Sequence, residues 1–288
     1  MIQFLKAVFK HFFNSDTFQK GAALAYYAVF SIFPTIIILI SLLGMIFGKE
    51  AVSGEIFAQL KDTLGSDAAL QIQDLIKNQH VNHNSLLTAI IGFATLALSA
   101  SGMLGQIHNA FNAIWGIKAK PKNSILRYFT KHLASLSVLI FLFFILLVST
   151  SANSFLIKHN AYLNPDHQFL LFYEHLVSFG IVSVMFAIMF RFLGDAKVHW
   201  KSALFGGIFT SFLFIFGKIG IGMYLGKMHI SSTFGSASVL ALIMLWVYYT
   251  SQIMFLGASF VKVLSDTTNR KIKPTSNAVT IENPEISS

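Results

Sequence analysis

Apolar residues in this chain gather into six long blocks, not at the spacing of a one-sided helix or strand. The blocks run from about Ala22 to Phe47, Leu86 to Leu104, Leu133 to Ile157, Phe169 to Leu193, Ser202 to Leu225 and Ser236 to Leu264. A helix needs about 20 apolar residues to cross a hydrocarbon core about 30 Å thick. Each block has roughly that length. The pattern predicts an all-α fold, a polytopic membrane bundle of six transmembrane helices. The spans are expected at about 22–47, 86–104, 133–157, 169–193, 202–225 and 236–264, within a transmembrane domain covering 21–264.

Three regions fall outside the spans. Residues 1–20 predict an interfacial amphipathic helix, with Phe4, Leu5, Val8, Phe12 and Phe13 on one side. Residues 48–85 predict a small helical outer cap of two short helices broken at Gly65 and Ser66. Val52, Ile56, Leu60 and Leu64 line the first helix, and Ala68, Ile72, Leu75 and Ile76 the second. Residues 265–288 are polar and without periodicity, and predict a disordered cytoplasmic tail.

Composition supports the membrane reading. Hydrophobic residues make up 55% of the 288 and charged residues 11%, less than half the share usual in soluble domains. The net charge of +9 matters by where it sits. The connection after the second block carries Lys118, Lys120, Lys122, Arg127 and Lys131 with no acid. The connection after the fourth carries Lys197 and Lys201. The connections after the third and fifth carry only Lys158 and Lys227, and acids outnumber bases between the first and second. Basic residues mark cytoplasmic loops. The alternation predicts a multi-pass protein with N-terminus and C-terminus both cytoplasmic. The first block follows twenty mixed residues and is too long for a signal-peptide core, so it is read as a span.

Several stretches resemble the YihY/BrkB family of bacterial inner-membrane proteins. They are Gly21 through Pro34, Ser99 to Gly102, Ala110 to Gly116, Phe234 to Ser236, Leu245 to Ser251 and Leu256 to Ala258. The resemblance implies the bacterial cytoplasmic membrane and a family with no settled biochemical activity. Some members have carried the label ribonuclease BN, a misassignment. Others are associated with serum resistance or envelope phenotypes, and a role in lipid export has been suggested. The family commonly has an acidic residue straight after the Gly-Ala of the last span. Here that position is Ser259, so no role of that carboxylate transfers.

Candidate chemistry is sparse. Lys218 lies inside the fifth block, where an ammonium costs about 2.5–3.5 kcal/mol at the bilayer centre unless it finds a partner, a wet cavity or the interface. Snorkelling to the outer interface and lining a cavity are both open for it. Glu174 lies at a matching depth as a partner. Pro34 removes a backbone donor within the first span, and Ser31 is placed to satisfy freed groups. Packed kink and hinge are its two readings. Asn109, Asn112, Trp115, Lys118, Lys120, Lys122, Arg127 and Lys131 form a cytoplasmic candidate surface for anionic lipid headgroups, with Trp115 in an interfacial aromatic belt. Arg191, Lys197 and Lys201 are expected to join it. Small residues four apart, such as Ala97, Ser101 and Gly105, suit close helix packing in the bundle or in a homo-oligomer.

Other chemistry finds little support. No cysteine is present, and the ten histidines show no ligand spacing, so neither a metal nor a cofactor is expected. Asp16, Asp195, Asp266, Glu282 and Glu285 are too dispersed for a nuclease, and no nucleic-acid partner is expected. The reading is a non-enzymatic transporter or lipid-translocating protein whose main partner is the bilayer with its anionic lipids. The alternative is a non-transporting scaffold for envelope assembly or partner binding.

Overall fold

The computed structural model describes residues 2–31, 102–119, 167–227, 237–276 and 278–281, with scattered residues between 53 and 73. Pro34, Lys120, Lys122, Arg127, Lys131 and the expected third span lie outside the described residues, as does most of the expected cap. The described cap residues 53, 54, 56–58, 61, 69, 70 and 73 are helical.

The fold is mainly helical. Helix α1 is Ile2–Phe13. Helix α2 is described over 17–31 and α3 over 102–114. Strand β1, Ile117–Ala119, follows α3. Helix α4 is His167–Phe192, strand β2 is Ala196–Lys197, and helix α5 is Trp200–Lys227. Helix α6, Ala237–Thr267, is followed by β3, Lys273–Pro274, and β4, Ala278–Thr280. Among the described residues two helices are long and apolar enough to cross a membrane, Trp200–Lys218 and Leu240–Thr267.

The buried core is mainly apolar, but large apolar side chains are also exposed along the long helices and several hydroxyls are buried. Leu176, Val184, Leu204, Phe205, Ile208, Phe212, Phe216, Leu240, Met244 and Leu245 are exposed, whereas Ser183, Ser202, Thr210, Ser211, Ser251, Ser259 and Ser265 are buried. Large apolar side chains turned outward along three long helices suit a lipid solvent. Several buried hydroxyls bond back into their own helix. Ser183 donates to Phe179 O, Thr210 to Gly206 O and Ser259 to Phe255 O, at 2.7, 2.7 and 3.0 Å.

The described residues divide into two compact units. In the first (1–17, 107–215, 253–288), α4, α5 and α6 approach closely at glycines. A methyl at Gly207 would overlap the backbone of Ser183 and Ala187. One at Gly206 would overlap Val261, and one at Gly257 would overlap Thr210. In the second unit (18–106, 216–252), Gly21 lies against Ser251 and Gln252, Gly102 under Tyr27, and Gly217 under Tyr249.

Two expectations for the termini are corrected. The N-terminal segment is not one helix to residue 20. Asp16 adopts a left-handed backbone (φ 51°), and the chain turns between α1 and α2. The apolar residues of α1 lie along one side of the helix. Val8 and Phe12 are buried and Phe4 packs edge-on against Phe260, while Ile2, Leu5, Phe9 and Phe13 stay exposed.

The C-terminal segment is ordered through Ile281, not disordered from 265. α6 ends with Asn269 in the left-handed conformation (φ 54°), a helix stop that Asn tolerates. The chain then pairs β3 antiparallel with β2, and β4 antiparallel with β1. Ile281 N–H donates to Gly116 O at 2.7 Å, and Thr275 N–H to Asp195 O at 2.9 Å. These short strands exist because two loops offer unpaired backbone groups to the returning chain.

Candidate functional site

The first unit holds a polar cluster where α3 ends and α4 turns into β2. His108 and Asn112 are four apart on α3 and therefore share a face. Both point to Asp195, which stands in the turn after α4. His108 Nε2 donates to Asp195 Oδ2 at 2.8 Å, and Asn112 Nδ2 donates to the same oxygen at 3.0 Å. Asp195 returns its backbone N–H to Asn112 Oδ1 at 2.9 Å. The His108 and Asp195 side chains keep only 11% and 14% of their exposure, so this pairing is made in a poorly hydrated place where removing one member is costly.

Trp115 packs against Gly194, the residue before Asp195. It is 1% exposed, tilted against Phe111 at 5.0 Å, with its ring over Gly194, where a side chain would collide with it. Gly116 takes a positive φ of 65° and swings the chain into β1, so Trp115 turns inward. This corrects the expected interfacial position of Trp115. Asn112 is likewise buried and committed to Asp195, not presented to headgroups. Asn109 and Lys118 are exposed.

The remaining candidates scatter. Ser31 is buried in the second unit, its hydroxyl donating to Ala28 O at 3.1 Å with Met103 Sδ at 3.9 Å. Lys218 is exposed on α5. Glu174 lies on α4, and its side chain is outside the described residues. Among the described residues no group of three His, Asp or Glu is placed to hold a metal ion.

The cluster suits clamping better than catalysis. His108 Nε2 is spent on Asp195, and Nδ1 is buried without a hydrogen-bond partner among the described residues. A general base must reach the proton it takes. Sequence reasoning singled out Asn109 with Asn112, three apart. The four-residue spacing of His108 and Asn112 was the informative one, but nothing in the sequence ties that pair to Asp195.

A second buried histidine braces α1. His11 Nε2 donates to Ile114 O at 2.6 Å. Burial pushes its pKa below the usual 6.5, which the carbonyl partly opposes, and Lys262 adds to the lowering while Asp266 opposes it.

The family described as "Virulence factor BrkB" matches residues 8–282. The chain belongs to the BrkB family. Curated relatives share this breadth of match. A UPF0761 membrane protein of Psychrobacter sp. (strain PRwf-1) is 27% identical over 94% of this chain and 50% of its own length. One from Saccharophagus degradans is 26% identical over 92% of this chain and 60% of its own length. One from Pseudomonas aeruginosa (strain LESB58) is 25% identical over 92% and 63%. This BrkB-family chain thus spans between half and two thirds of the length of these relatives. No solved structure matches it. The family and the apolar helices make it a membrane protein. The BrkB match also runs through the Asp195 turn and both C-terminal strands, so the clamped tail lies inside the family region.

Proposed function

We propose that this BrkB-family protein crosses the bacterial cytoplasmic membrane six times, with both ends cytoplasmic, and moves an anionic or amphipathic substrate such as a lipid. Lys218 carries the proposal. It is exposed on α5. Counted along α5 from Trp200 it lies about 27 Å on, at 1.5 Å per residue. That is close to the roughly 30 Å of a hydrocarbon core. With Trp200, Lys197 and Lys201 at the cytoplasmic interface, Lys218 reaches the outer headgroup level. An ammonium there meets anionic groups arriving at or leaving the outer leaflet. The reading includes no enzymatic step.

Reconstitution into proteoliposomes with a panel of anionic lipids and small anions tests this. Flux is expected to fall several-fold in Lys218→Ala and to persist in Lys218→Arg. Equal flux in native protein and Lys218→Ala would remove the lysine from the mechanism.

A scaffold is the second reading. The close contacts at Gly206, Gly207 and Gly257 favour it, because they pack α4, α5 and α6 tightly against one another there. Absence of any flux, together with a stable co-purifying partner, would support it.

A further inference from the structure

The ladder that ties the C-terminal segment to the α4–α5 turn sets two lysines against each other. Lys197 of β2 and Lys273 of β3 are directly opposed partners, with Ala196 opposite Pro274. Like charges directly opposed across an antiparallel pair destabilise it. Both lysines are exposed, as are Lys271 and His199, each two residues along, and Lys201 at the start of α5. Neither strand carries an acid, and the nearby Asp195 carboxylate is held by His108 and Asn112.

The surroundings give the patch a level in the membrane. Phe192 and Trp200 flank β2, are 53% and 46% exposed, and meet edge-on at 5.9 Å. The Arg191 guanidinium lies 5.6 Å from the centre of the Trp200 ring. Exposed aromatics beside cations at helix ends are the usual occupants of the headgroup layer.

We propose that Lys197 and Lys273, with Lys271 and Lys201 beside them, bind a phosphate group at the membrane surface, and that this anion holds the C-terminal segment on the α4–α5 turn. The bound phosphate turns the opposed lysines from a repulsive pair into two donors on one acceptor. A lipid headgroup and free phosphate share this chemistry. The site takes from the proposed function only that this end faces the anionic leaflet, and it needs no transport.

The test uses the delipidated full-length protein in nonionic detergent. Trypsin cleavage after Arg270 and Lys271 and the thermal midpoint are read with added phosphatidylglycerol, phosphatidylcholine or inorganic phosphate. Phosphatidylglycerol is expected to slow cleavage several-fold and raise the midpoint, with phosphatidylcholine inert. An equal response to inorganic phosphate at matched concentration supports the same site and assigns it to soluble phosphate. Lys273→Glu replaces the opposed lysines with an opposite-charge pair. It is expected to fold, to resist trypsin without lipid and to lose the phosphatidylglycerol response. An unresponsive native protein, or a full response in Lys273→Glu, overturns the proposal. Loss of flux in the transport assay leaves these outcomes untouched.

Discussion

Asp195 accepts a hydrogen bond from His108 at 2.8 Å across 87 residues of sequence, and the same oxygen takes a second from Asn112. This carboxylate joins the end of α3 to the turn after α4. Its own backbone carbonyl then receives Thr275 of the returning chain. Asp195→Ala strips both side-chain donors of their acceptor. Hydrogen bonds to charged groups contribute about 1.5–3 kcal/mol each, so a loss of at least that order is expected. The thermal midpoint in detergent should fall clearly in Asp195→Ala and less in Asp195→Asn. An unchanged midpoint in Asp195→Ala would remove the cluster from the list of structural supports.

Glycines separate into two groups that the structure distinguishes. At Gly207 an added methyl meets backbone of Ser183 and Ala187, which cannot rotate away, whereas at Gly180 it meets nothing within 4 Å among the described residues. Gly207→Ala should destabilise by about 1–3 kcal/mol, the usual range for overpacking. Gly180→Ala should be neutral or favourable by about 0.5–1 kcal/mol, since Ala is the better helix former. Thermal midpoints of the two variants check this. Similar values for both would mean that α4 and α5 do not approach as described.

His11 makes the docking of α1 sensitive to acid. Burial lowers its folded-state pKa below 6.5. Its contribution is therefore complete above about pH 6.5 and is lost as pH falls through the lower folded value. Hydrogen exchange over residues 2–13 should accelerate between pH 7.5 and 5.5, after correction for intrinsic rates. In His11→Gln, which keeps a donor and cannot charge, the corrected exchange should be flat with pH. Acceleration in that variant too would place the acid response elsewhere.

The long helices were legible because a bilayer demands long apolar runs, and α4, α5 and α6 occupy the last three apolar blocks. The cluster was not legible, because Asp195, His108 and Asn112 meet only through the fold. Trp115 misled for a related reason. Tryptophan at a helix end reads as an interfacial anchor, and its burial depends on Gly194 leaving room for the ring. The C-terminal strands are two and three residues long, too short to carry a period, and are specified by the partners that receive them.

The proposed orientation puts the C-terminal segment on the cytoplasmic side and residues 48–85 on the outer side. The chain has no cysteine, so single introduced thiols can be labelled without background. Ala58→Cys and Ser276→Cys both fall at exposed positions. With a membrane-impermeant maleimide on spheroplasts, Ala58→Cys should label directly and Ser276→Cys only after the membrane is opened. Labelling of Ser276→Cys in intact spheroplasts would contradict the account.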